Sequence, residues 1–290
     1  MNIAETATET ALATDDVPPE VARARRPQWL VFMLFGQLPE YAGTAMSAGS
    51  FIETFRQLDV SSHAVRSTLS RMTDRGLLQR HRRGREMYYS LTRLAAEGLS
   101  GFLELADRPF EHSHTVEWTA VAFTVPENQR ALRRKLRSRL SWGGFGLLRS
   151  GIWVSPNDVD VAPLVDGLDV MEYLDVFTNC IPQHRDLREI IGEAYDLDAI
   201  ASRYTSFAER WGTAPPEDFS NPLAAILTLT SQWQQLARAD PRLPLDHLPA
   251  DWPAESSRQL FLTLRSTLRA DAQTFVDDLA VLRTSTLDLD

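Results

Sequence analysis

The sequence predicts an α+β protein, mainly helical, with an N-terminal winged helix-turn-helix, a middle ferredoxin-like domain and a C-terminal helical domain. Three observations predict it. Between Ser47 and Thr92, two helical apolar patterns precede two short strand patterns around an arginine-rich tip. Between Trp118 and Phe177, the patterns run β-α-β-β-α-β, the order of a split β-α-β unit. From Asp186 onward the patterns are helical, joined by loops. The expected boundaries are residues 1–25 for a disordered tail, then 26–108, 109–185 and 186–290 for the three domains.

Met1 to about Ala24 is rich in Ala, Thr, Glu, Asp and Pro. It has too little apolar surface to offset the entropy of ordering. Arg23, Arg25 and Arg26 close it as a positive cluster, by default a solvated flank. Pro27 suits the first turn of a helix, with Trp29, Leu30, Met33 and Leu34 as its apolar face. Ser47 opens a second helix with Phe51, Ile52, Phe55 and Leu58 on one side. Asp59-Val60-Ser61-Ser62 breaks that pattern and supplies oxygens that cap a helix N-terminus. The third helix turns Val65, Leu69 and Met72 inward, which leaves His63, Arg66, Ser67 and Ser70 on the opposite face. Gly76 stands where a helix C-terminus takes positive φ. Leu77–Arg80 and Glu86–Leu91 read as the strands of a hairpin whose tip is His81-Arg82-Arg83-Gly84-Arg85.

Helix, turn, polar-faced helix and basic hairpin together are the layout of a winged helix-turn-helix, whose second helix enters the major groove. Ser61 to Arg93 holds eight arginines against Asp74 and Glu86, a local excess suited to phosphate contact. His63, Arg66, Ser67 and Ser70 are the candidates for base edges, and Arg82, Arg83 and Arg85 for phosphate or minor groove. Ser61 or Ser62 caps the helix and is placed to touch a phosphate. Arg71 and Tyr88 complete the candidate DNA-binding set. The plainer alternative is that Arg66, Arg71 and Arg75 form a solvated helix face.

Thr92 to Leu105 is helical again, as connector or as dimerisation helix. Trp118 to Val125 reads as a buried strand. Pro126-Glu127 then opens a helix carrying Leu132, Leu136 and Leu140. Phe145–Ser150 and Gly151–Ser155 read as strands, Asp158–Leu168 as a helix and Val170–Phe177 as the last strand. Helical segments follow over 186–211, 223–237 and 255–282. A Pro-rich loop over 212–222 and a turn-rich stretch over 240–253 separate them.

Composition bounds the function. The 290 residues are 43% hydrophobic and 24% charged, ordinary for a soluble globular protein. The longest apolar run, Trp29 to Phe35, is far short of the ~20 residues a membrane helix needs. No basic segment followed by an apolar one marks a secretory signal. One cysteine, Cys180, precludes an internal disulfide and fits a reducing cytoplasm. The net charge is −9, yet residues 1–110 balance thirteen basic against thirteen acidic side chains. Residues 186–290 hold nine against seventeen, so that third is expected to dimerise or to hold an effector instead of touching DNA.

Arg130, Arg133, Arg134 and Arg137 share one face of the middle-domain helix. They are candidates for the phosphates of a coenzyme A effector, or else a solvated surface or partners of the acidic third. Trp142 and Trp153 are the aromatic candidates for the same effector; large aromatics also build cores. Glu111-His112-Ser113-His114 and Cys180 with His184 contain metal-ligand types without a diagnostic second pair, so no metal site is expected. No Gly-x-Ser-x-Gly nucleophile motif and no phosphate-cradling glycine loop occurs. The expectation is a regulator without catalytic residues or a resident cofactor. An enzyme that uses the winged domain for targeting is the alternative class, and a DNA-binding protein with no small-molecule effector is another.

Three blocks carry a family resemblance. The first is Ala64-Val65-Arg66, Leu69-Ser70-Arg71-Met72, Gly76-Leu77-Leu78 and Arg82-Arg83-Gly84-Arg85 through Tyr89-Ser90-Leu91-Thr92. The second is Pro126-Glu127, Arg130 to Leu140, Trp142-Gly143-Gly144-Phe145-Gly146 and Gly151-Ile152-Trp153-Val154-Ser155-Pro156. The third is Asp240-Pro241, Leu243-Pro244, Leu248-Pro249 and Asp251-Trp252-Pro253. In this order they resemble the phenylacetate-catabolism repressor (PaaX) family, from about Arg26 to Leu282. The resemblance implies a cytoplasmic homodimeric repressor of aromatic-acid catabolic genes. Such a repressor binds a double-stranded, pseudo-palindromic operator and leaves it when an aromatic acyl-CoA or related aromatic metabolite binds. It also implies a middle domain similar in fold to a small CRISPR adaptation endonuclease. The first strand of that domain ends Phe123-Thr124-Val125, with no carboxylate there to hold a catalytic cation.

Overall fold

Pro27 begins α1 (Pro27–Gln37), whose buried side chains, Leu30, Val31, Met33, Leu34, Phe35 and Gln37, face more than one direction. A helix apolar nearly all round belongs inside its unit, and the others gather on it. The computed structural model describes residues 27–38, 44–110, 118–180, 182–212, 219–278 and 284–286. The expected tail, its three arginines, the His112-Ser113-His114 segment and most of the 212–222 loop lie outside the described residues. The chain divides into two compact units, 1–108 with 210–235 and 259–290, and 109–209 with 236–258. By this division, residues 186–290 fall partly in each unit.

In the first unit, β1 (Thr44–Ser47) leads directly into α2 (Ala48–Arg56). The Ser47 hydroxyl accepts from the Ser50 amide at 3.0 Å and caps that helix. Phe51 is the hub: its ring meets Phe35, Phe55 and Tyr89 edge-on at 5.8, 5.9 and 6.4 Å. The turn after α2 passes through Asp59 at φ 61° and delivers Ser61 to the start of α3 (Ser62–Asp74). Val65, Thr68, Leu69 and Met72 are the buried face of α3, as the spacing predicts. Beyond it Gly76 takes φ 70°, its amide bonds to the Thr73 carbonyl at 2.9 Å, and the Leu77 amide reaches Met72 at 2.8 Å. That pair of bonds is a Schellman stop.

The hairpin is β2 (Leu78–Arg83) and β3 (Glu86–Leu91). It is longer than the sequence suggests: Arg83 pairs with Glu86, so His81, Arg82 and Arg83 are strand and only Gly84-Arg85 turns. Gly84 at φ 61° supports this two-residue turn, which lets the ladder run on. Thr92 then caps α4 (Arg93–Asp107) through the Ala95 amide at 3.3 Å. Its hydroxyl also donates to Gly76 at 2.8 Å, tying the hairpin base to the end of α3. The sheet order is β2-β3-β1-β8, with β8 (Thr284–Thr286) antiparallel to β1. Neither β1 nor β8 is expected from the sequence.

The second unit contains β4 (Trp118–Phe123), α5 (Arg130–Trp142), β5 (Gly146–Arg149), β6 (Ile152–Ser155), α6 (Ala162–Val165) and β7 (Leu174–Cys180). The sheet order is β5-β6-β4-β7, antiparallel throughout. This is the expected split order. Val121, Leu136, Leu140, Phe145, Trp153, Val165 and Val170 belong to its core. The predicted 158–168 helix shrinks to the single turn α6, and the last strand begins four residues late, after a 3-10 turn over Met171–Tyr173.

The helical stretch expected over 186–211 is two helices, α7 (Leu187–Ala194) and α8 (Leu197–Trp211). Asp196 ends the continuity by accepting from the Ala199 amide at 2.9 Å. The Tyr195 hydroxyl at the break lies 2.9 and 2.8 Å from the carbonyls of Gly144 and Val154, and burial pushes its pKa upward. The chain ends with α9 (Pro222–Ala239) and α10 (Ala254–Asp278). Within the first unit, Trp233 of α9 stacks on Phe261 of α10 at 4.8 Å. Arg265 of α10 forks onto Asp107 of α4 at 2.5 and 2.8 Å.

Candidate nucleic-acid interface

The face of α3 opposite its buried side is set by the 3.6-residue repeat alone. With Val65, Leu69 and Met72 buried, Ser62, His63, Arg66, Ser67, Ser70 and Arg71 are all exposed. Ser61 is the cap: its hydroxyl accepts from the Ala64 amide at 3.2 Å, and Ser62 is the first helical residue. Arg71 lies along the helix, donating to the Thr68 hydroxyl at 3.3 Å. α3 therefore offers a short, mixed row of imidazole, guanidinium and hydroxyl groups. These are donors and acceptors of the kinds that read base edges and hold phosphates.

Arg82, Arg83 and Arg85 are exposed on the hairpin, and the Arg82 Nε–H is turned back onto the Gly84 carbonyl at 3.3 Å. Arg75 and Arg80 are exposed too and belong to the same positive surface; the local charge excess is the signal that finds them. Tyr88 requires a correction. It is 8% exposed and its hydroxyl donates to Glu86 at 3.0 Å. Tyr88 and Ser90 are the buried positions of β3, on the face opposite the one from which Tyr89 meets Phe51, so the Tyr88 side chain is covered where the hairpin arginines are exposed. His81 is held similarly, 2.9 Å from the Ser90 hydroxyl.

In the second unit, Arg130, Arg133, Arg134 and Arg137 come together along α5 and, with Glu127, line an open depression of about 450 Å³. Arg133 donates to the Val125 carbonyl at 2.6 Å, and Arg137 stands over the Trp153 ring at 5.9 Å. The two aromatic candidates are not brought into one pocket. Trp153 is 6% exposed within the core, whereas Trp142 is 75% exposed at the end of α5. Among the described residues no three His, Cys, Asp or Glu side chains converge as a metal site. Nor is any described helix long and apolar enough to cross a membrane.

Three family models match the chain in succession. "PaaX-like protein" covers residues 26–95, "PaaX protein central Cas2-like domain" residues 111–191, and "PaaX-like protein C-terminal domain" residues 195–278. The chain is 24% identical over 264 residues to the transcriptional repressor PaaX of Escherichia coli K12, covering 86% of this chain and 82% of the repressor. Among solved structures it is similar to the uncharacterized protein Rv0674 of Mycobacterium tuberculosis, with a TM-score of 0.61 and 21% identity. That match covers 83% of this chain and 97% of the other, a likeness of fold.

Proposed function

The chain belongs to the PaaX family, and from that premise we propose that it is a DNA-binding transcriptional repressor whose reading head is a winged helix-turn-helix. One observation carries this reading: the outer face of α3 is a row of exposed His63, Arg66, Ser67 and Ser70 beside an arginine hairpin, on a chain whose net charge is −9. α3 enters the major groove with its N-terminal half toward base edges, and the hairpin arginines take the flanking backbone. A homodimer presents two such heads to a pseudo-palindromic operator. The similarity to a named repressor supports the direction of control.

An aromatic acyl-CoA, or a related aromatic metabolite, releases the operator of an aromatic-acid catabolic operon. Release requires that the ligand bind the operator-incompetent state better; a tenfold loss of operator affinity corresponds to ~1.4 kcal/mol of coupling. The test is fluorescence anisotropy on DNA upstream of the gene, at fixed salt, with a panel of aromatic acids and their thioesters titrated in. Sequence-selective binding that one thioester abolishes supports the whole reading. Selective binding that no ligand disturbs removes the effector and leaves the DNA-binding head.

A further inference from the structure

Away from α3 and the hairpin, the most one-sided charge in the molecule is on α5. Residues 128–157 contain six arginines, one lysine and no carboxylate. Glu–Lys or Glu–Arg pairs four residues apart stabilise an exposed helix face; α5 has none. Its cations are also sorted by direction. At ~100° per residue, Arg130, Arg134, Arg137 and Ser141 fall on one stripe, turned ~90–130° from the buried Leu136 and Leu140. Arg139 faces away and is committed to the carbonyls of Leu164 and Asp166 at 3.2 and 3.0 Å.

Two of the guanidinium groups are pre-positioned. Arg133, at the edge of the stripe, is pinned by the Val125 carbonyl, and Arg137 rests over Trp153. Arg130 and Arg134 are exposed. The stripe from Arg130 to Arg137 is ~10 Å long at 1.5 Å per residue. Over that length a DNA duplex carries roughly six phosphate charges. The depression it lines is open, and its lining is the four arginines and one carboxylate, Glu127, with no aromatic wall. That shape suits an extended phosphate backbone better than a nucleotide needing a ring to stack on.

We propose that the Arg130–Arg134–Arg137 face of α5 is a second DNA-contact surface, which binds backbone phosphates without reading sequence. The inference rests on the repressor reading above. The experiment uses the full-length protein and two duplexes, one restricted to the operator and one extended by about one helical turn, ~10 bp, on each side. The double variant Arg130→Gln/Arg134→Gln is compared with Lys135→Gln. Lys135 is an exposed cation of the same helix, turned ~100–140° from the other two. Circular dichroism verifies that each variant is folded.

On the extended duplex the double variant is expected to flatten the slope of log affinity against log salt by about two units. Its preference for operator over scrambled sequence stays as in the wild type. Lys135→Gln is expected to move the slope by well under one unit. An unchanged slope in the double variant, or an equal change in Lys135→Gln, overturns the inference while the repressor reading stands. So does a double variant whose only loss is binding of free coenzyme A, since the face then belongs to a nucleotide. If the wild type binds no duplex at all, both readings fall together.

Discussion

Asp240 belongs to the second unit, where two residues hold its carboxylate and one of them rests on a ring. The Tyr204 hydroxyl donates to its carboxylate, the Arg242 amide bonds to Oδ1 at 2.5 Å, and the Arg242 guanidinium stacks on Phe110 at 4.9 Å. Burial dominates and holds its pKa above the ordinary value, although both hydrogen bonds pull the other way. A carboxyl raised in this way stabilises the fold fully below its ordinary pKa, and that contribution is lost as pH rises through the raised value. Asp240→Asn cannot ionise, so its denaturation midpoint is expected to lose that decline from about pH 4 upward. A variant midpoint that falls with pH as steeply as the wild type's contradicts the assignment. Residues of this kind are only half legible in a sequence. Asp240-Pro241 is visible as a turn, but Tyr204 lies 36 positions away. The same holds for Tyr88 and Tyr89: adjacent strand residues face opposite ways, and which faces the Phe51 ring is decided by contact with α2, distant in sequence.

α3 is the element most fully written in local sequence. Its cap, apolar spacing and glycine stop all lie within sixteen residues, and the structure reproduces each. Ser61→Ala is expected to cost about 1 kcal/mol through the lost cap. Gly76→Ala is expected to cost about 1–2 kcal/mol, because an L side chain is disfavoured at φ 70°; no neighbouring atom would obstruct the methyl group. Both losses should appear in thermal unfolding and leave the preferred DNA sequence unchanged. A changed sequence preference in Gly76→Ala would mean that this turn does more than stop the helix. β1 and β8 are the counterexample. Four and three residues long, they show too little alternation to be read, and Thr44 pairs with Thr286 from the opposite end of the chain. The break between α7 and α8 is hidden in the sequence for another reason. Its apolar spacing continues across Tyr195, while a single aspartate cap resets the backbone.

At the scale of the whole molecule, charge is the organising variable. Two positive blocks, residues 61–93 and 128–157, stand out on a chain of net −9 whose final third holds seventeen acidic side chains. The first block, the acidic final third and the β-α-β-β-α-β order of the middle segment were legible in the sequence. The division into units was not. Sequence patterns locate helices but not which unit each helix face packs into, and residues 186–290 are shared between both units. The DNA-binding account makes opposite demands on two arginines of one surface. Arg66 on α3 is assigned to base edges and Arg83 on the hairpin to phosphate. The direct measurement is the affinity of Arg66→Ala and Arg83→Ala for operator and scrambled duplexes across a salt series. Arg66→Ala should lose about 1–3 kcal/mol on the operator and much of its discrimination, while Arg83→Ala should weaken both duplexes alike and flatten the salt slope by about one unit. Wild-type affinity and slope in both variants would contradict the assignment of this face to DNA.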